Sequence, residues 1–131
     1  MKRDRLSSAP SPVAPAPAPA LSAAESSWLS AIITSSSDAI ISKNLDGIIA
    51  SWNPAAERVF GYTPQEIIGQ SIRVLIPEDR QSEEDEILAT IQAGRTVADF
   101  ETIRLHKDGT AIPIMVTVSP VHDTSGTIVG A

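Results

Sequence analysis

Few residues in this chain could do chemistry. It holds two His residues and no Cys, which excludes disulfides, thiolate metal sites and Cys nucleophiles. His106 adjoins Lys107-Asp108-Gly109 and His122 adjoins Asp123. Both positions read as turn residues facing water, and their spacing does not suit a zinc pair. His122-Asp123 plus a serine would complete a Ser-His-Asp set by arithmetic, but no Gly-x-Ser-x-Gly elbow marks a nucleophile. The acidic run from Glu78 to Glu86 lacks the Asp/Asn/Gly loop spacing of a calcium site. It reads as a solvated helix face whose charges complement the helix dipole. No catalytic residue and no metal site is expected, so the chain is not read as an enzyme.

The totals narrow the partners. A formal charge of −6 and a pI near 4.7 do not supply the basic footprint that nucleic acid requires. No apolar run reaches membrane-spanning length, and the basic start MKRDRL runs into Pro-rich sequence rather than a signal-peptide core. The Cys-free composition suits a cytoplasmic protein. With 131 residues one domain is expected.

The elements that must position any site follow from start and stop signals. Residues 1–21 are dominated by Pro and Ala (SSAPSPVAPAPAPAL) and read as an extended linker. The folded domain is placed at 22–131. Ser22 and Glu25 form a capping box, and Trp28, Leu29, Ile32 and Ile33 share one face of the helix that follows. That face either belongs to an ordinary core helix or covers a sheet or meets a second copy of itself. AIISKNLDGIIASW reads as a hairpin turning at Asp46-Gly47. Asn53-Pro54 and Thr63-Pro64 each start a short helix, closed by Gly61 and Gly69. A longer helix ends at Gly94. VADFETIRLHKDGTAIPIMVTVSPV is a second hairpin turning at Asp108-Gly109, and a further turn at Asp123 to Gly126 leads into a last strand. Strands at both ends with helices between them make the fold α+β, with two distant hairpins meeting in an antiparallel sheet.

SDAIISKNLDGIIASWNPAAERVFGYTPQEIIGQSIRVLIP (Ser37 to Pro77) and FETIRLHKDGTAIPIMVTVSPVHDTSGTIVGA (Phe100 to Ala131) carry a resemblance to the PAS sensor domain. The blocks N-P-A-A-E-R-x-F-G-Y, E-I-I-G, K-D-G-T and D-x-x-G stand in that family's order and spacing. The resemblance implies a PAS-like five-stranded antiparallel sheet, in order 2-1-5-4-3, flanked by short helices around a small cavity. It also implies a signal-transduction role, as input module of a larger regulator such as a two-component sensor kinase. The effector lies outside this chain, and GTIVGA ends where similar domains run through a full strand. A homodimer through the N-terminal helix and the outer sheet face is expected. The alternative is a ligand-free dimerisation or interaction scaffold.

The family's cofactors set further expectations. Its flavin photoreceptors bond the flavin through a Cys, which is missing here, so only non-covalent flavin remains compatible. Its haem sensors ligate iron with a His on the long helix, where this sequence has Glu83 or Glu84. No cofactor is therefore expected, with a redox or oxygen sensor holding haem or non-covalent flavin as the less favoured alternative. Alternation on the second hairpin makes Ile114, Val116 and Val118 the inward face. Phe100 resembles a pocket position of the haem branch, and Trp52, Phe60, Ile72, Leu75, Leu88 and Ile91 complete the candidate lining. Apolar periodicity alone does not separate a lined cavity from a filled core. The resemblance also pairs Glu57 on a short helix with Lys107 at the hairpin turn.

Overall fold

The structure, a computed structural model, describes residues 22–131; the Pro/Ala-rich segment 1–21 lies outside the described residues. The helices begin where the caps dictate. At α1 (Ala23–Ser35), Ser22 Oγ accepts the Glu25 N–H, while the Glu25 carboxylate accepts the Ser22 N–H. At α2 (Pro54–Phe60), Asn53 Oδ1 accepts the Ala56 N–H, and Gly61 closes the helix at φ 84°. At α3 (Pro64–Ile67), Thr63 and Glu66 make the second capping box. Two 3₁₀ turns, Ile72–Leu75 and Glu78–Arg80, lead into α4 (Gln81–Gln92). A chain recapped this often can change direction every few residues and wrap a curved surface.

That surface is antiparallel. Strand β1 (Ile41–Lys43) pairs with β2 (Ile49–Trp52), β3 (Val97–Leu105) with β4 (Ala111–Val118), and β5 (Val121–His122) with β6 (Ile128–Gly130). Three two-stranded ladders thus stand where one five-stranded sheet is expected. The first and third are joined by reciprocal backbone bonds between Lys43 and Ala131, each 2.9 Å. The second and third are joined by the chain, through Ser119-Pro120. Proline has no N–H to give a ladder, so the strand breaks there. A bulge between Val97 and Phe100, with Asp99 at φ 52°, interrupts the second ladder.

The core lies between the inner face of these strands and the helical arm. Ile49, Trp52, Ala56, Phe60, Ile67 and Leu75 form one buried cluster, with Ile41, Ile72, Ile112 and Ile114 packed against it. Trp52 buries its ring 5.7 Å from that of Phe60 and donates Nε1–H to the Tyr62 carbonyl at 2.9 Å. Each fully buried large apolar side chain contributes about 1.5–3 kcal/mol. The cost of ending a helix twice within this short stretch is offset by such burial.

Candidate functional site

Alternation on β4 sends Ile112, Ile114, Val116 and Val118 inward and leaves Met115 exposed. On β1 the same period turns Ile41 and Lys43 inward. On α4 the spacing i, i+3, i+7 puts Glu84, Ile87 and Ile91 on the buried side. Between these elements lies a cavity of about 150 Å³. Its wall includes Ile41, Phe60, Ile72, Leu75, Ile76, Ile87, Ile114, Val116 and Val118, together with Lys43, Glu84 and Arg104.

Six expected lining residues are in that wall: Phe60, Ile72, Leu75, Ile114, Val116 and Val118. Four are not. Trp52 and Ile91 are buried in the core instead. Leu88 is half-buried at the edge of α4, and Ile87 takes the inward position. Phe100 lies just beyond the Asp99 bulge and lines a separate recess with Val97 and Ile87.

The larger correction concerns charge. The acidic run is not wholly a solvated face. Glu84 is 1% exposed, and both its oxygens take hydrogen bonds from Lys43 Nζ, at 2.9 and 3.0 Å. Glu83 accepts from Thr102 Oγ1 at 2.6 Å, from Arg104 Nη1 at 2.9 Å and from Arg80 Nη1 at 2.9 Å. Burial pushes the Glu83 carboxyl pKa up, but the hydrogen bonds from Thr102, Arg104 and Arg80 outweigh it and leave the pKa below its ordinary value. The helical spacing of Glu84 with Ile87 and Ile91 was the one local signal for this buried carboxylate. Its partner is 41 residues away.

The link between hairpin turn and helices also differs in detail. Lys107 Nζ reaches Glu66 of α3 at 2.6 Å, and not Glu57 of α2. The Lys107 N–H donates to the Phe60 carbonyl at 2.8 Å, which brings the turn to the end of α2 and within reach of α3. His106 is half-buried rather than solvated. Its ring fills the space where a side chain at Gly61 would stand, so that position needs glycine for close approach as well as for its positive φ. His122 is exposed on β5. No group of three His, Cys, Asp or Glu that could hold a metal gathers among the described residues.

The haem branch's iron ligand has no counterpart among these residues. A closed cavity of about 150 Å³ holds a benzene-sized molecule, which sets the scale of this recess. At the helix position where iron would need an imidazole, both carboxylate oxygens of Glu84 are held by Lys43.

Antiparallel hairpins cupped by short helices around a small recess define the class: a sensory signalling module. The chain belongs to the PAS family, whose model, described as the PAS fold, matches residues 28–131. Over 100 residues it is 32% identical to the signal transduction histidine-protein kinase AtoS of Escherichia coli (strain K12), covering 76% of this chain and 16% of that protein. It is also 32% identical over 97 residues to the sensor protein FixL of Bradyrhizobium diazoefficiens, covering 69% of this chain and 19% of FixL. The crystal structure of the PAS domain of a protein from Colwellia psychrerythraea superposes with a TM-score of 0.72 at 27% identity, over 79% of this chain and 88% of that one. The chain therefore spans less than a fifth of either sensor protein, and the similarity to them is confined to the PAS region. Among the described residues no helix is long and apolar enough to cross a membrane.

Proposed function

We propose that this domain is the cytoplasmic input module of a larger regulator, with a two-component sensor kinase the type suggested by its relatives. It works by a population shift: a small molecule that fits one packing of strands and helices better than another biases the domain toward it. The observation that carries this reading is the position of the cavity. Lys43 lines it, is held by Glu84 of α4, and is bonded through its backbone to Ala131, next to the last strand. A change in the cavity therefore bears directly on the residue that follows the last strand.

The experiment is a thermal-shift screen of the chain with molecules of about six non-hydrogen atoms, a size that matches a benzene-sized space. The expected result is a rise in Tm that grows with the logarithm of ligand concentration for at least one of them, abolished when the cavity is filled by Val116→Phe. A screen in which nothing shifts Tm removes the ligand-sensing reading.

A second reading, dimerisation through α1, rests on the apolar face that this helix exposes. Trp28, Leu29, Ile32 and Ile33 are all exposed, and no α1 residue is buried. Met115, Val121 and Val129 are likewise exposed on the strands. A second copy presenting the same face would cover it in an isologous contact.

A further inference from the structure

The cavity is greasy on most sides, yet three charged side chains reach its wall, and they are not equally satisfied. Glu84 has both oxygens engaged by Lys43. Arg104 is only 6% exposed. All of its hydrogen bonds leave from Nη1, to Glu83 Oε1 at 2.9 Å, Thr102 Oγ1 at 3.2 Å and the Ile103 carbonyl at 2.9 Å. Its Nη2 and Nε have no protein partner among the described residues. A buried guanidinium edge without acceptors is costly, and Arg104 is among the residues that line the cavity. That edge presents two parallel N–H groups, the fork that matches a carboxylate bidentately.

The local charge balance points the same way. Lys43, Arg80 and Arg104 stand against Glu83 and Glu84, three cations to two carboxylates. Arg80, the most exposed of the three cations, shares Glu83 with Arg104, so neither has that carboxylate to itself. One added negative charge in the cavity would balance the cluster. The remaining wall is mostly apolar, aliphatic at Ile41, Ile72, Leu75, Ile114, Val116 and Val118 and aromatic at Phe60, with Thr117 its polar member.

We propose that the cavity binds a short-chain aliphatic monocarboxylate, its carboxylate on the free Nε/Nη2 edge of Arg104 and its tail against the inward faces of β1 and β4. This rests on the sensory reading above and specifies the ligand class. The volume limits the tail: butyrate has about as many non-hydrogen atoms as the benzene that fills a space of this size. A dicarboxylate would place its second charge among isoleucines and is excluded by desolvation. A cation would meet Glu84 already neutralised.

The test is a Tm and calorimetric titration of the chain with butyrate, set beside butyramide and butan-1-ol, which keep shape and remove charge. Acetate, hexanoate and inorganic phosphate test length and generic anion binding. Butyrate at tenfold excess over its Kd should saturate the calorimetric titration and raise Tm by about 5 °C or more. The neutral analogues should do much less, and phosphate nothing. Arg104→Gln should weaken butyrate about tenfold to a hundredfold. Because R104Q could also disturb folding, the side-chain Nε–H resonance of Arg104 in the unsubstituted protein gives a second readout, and it should move with butyrate and stay put with butyramide. If butyramide or butanol binds as well as butyrate, or the Arg104 resonance does not respond, the carboxylate assignment is wrong while the sensory cavity stands. If none of these molecules nor any in the wider screen binds, both fall. If phosphate binds as tightly as butyrate, the site is a plain anion site and the aliphatic specificity is wrong.

Discussion

A carboxylate sealed from water needs a partner, and for Glu84 that partner is Lys43. Removing one member of such a buried pair strands the other, at a cost of about 3–5 kcal/mol, whereas replacing both by apolar groups is often neutral. Glu84→Gln should therefore lower unfolding stability in urea by several kcal/mol, and the double change Lys43→Met with Glu84→Leu should recover most of it. An E84Q protein as stable as the parent would mean that the pair does not form. Glu66 is the exposed counterpart. Its hydrogen bond from Lys107, reinforced by the Thr63 N–H, lowers its pKa from 4.5 to about 2. A carboxyl lowered on folding stabilises fully above its unfolded pKa and loses that contribution as pH falls through the folded value. The stability difference between parent and Glu66→Gln should thus be constant above about pH 5, shrink from pH 4.5 downward and vanish near pH 2. The carbonyl carbon shift of Glu66 followed by NMR should show its midpoint near 2.

At the scale of elements, Asn53 joins more of the structure than a cap requires. Its Oδ1 accepts from the N–H groups of Ala56 and Ile40, and its Nδ2 donates to the carbonyls of Ile33 and Asp38. One amide therefore starts α2 and also fastens the end of α1 to the approach of β1. Asn53→Ala should cost about 2–4 kcal/mol, a lost cap plus orphaned buried groups. Amide exchange along α1 should quicken more than along α4, while Asn53→Ser, which keeps the cap acceptor, should restore α2 and leave α1 loose. The cap itself was legible, because Asn-Pro before an apolar run is a local signal. So were Gly61, Gly94 and the turns at Gly47 and Gly109, whose positive φ values follow from turn chemistry. The inward face of β4 was legible from its period of two. What could not be read were contacts set by chain return. Lys43 meets Glu84, and Lys107 meets Glu66, each across 41 residues. Nothing local in the acidic run distinguishes Glu84 from its exposed neighbours Asp85 and Glu86 except its place on the helix. The cavity was implied only by the family resemblance and not by the residues themselves, since those that line it also suit a filled core.

For the whole molecule, the unburied face of α1 sets the last expectation. Trp28 is 76% exposed and Ile32 56%, on a helix held to the rest of the domain chiefly at its end, through the Asn53 bond to Ile33. A helix so placed gains little from its own domain and much from a copy of itself, since two such faces exclude water from each other. Light scattering should show a dimer whose dissociation follows concentration. Because no α1 residue is buried within the chain, Trp28→Glu combined with Ile32→Glu should give a monomer whose core is intact, with the Trp52 environment and the butyrate response unchanged. Dimerisation also adds concentration-dependent stability to the parent by mass action, so its Tm should rise with protein concentration and that of the W28E/I32E variant should not. A parent that is monomeric at all concentrations would leave α1 without this partner.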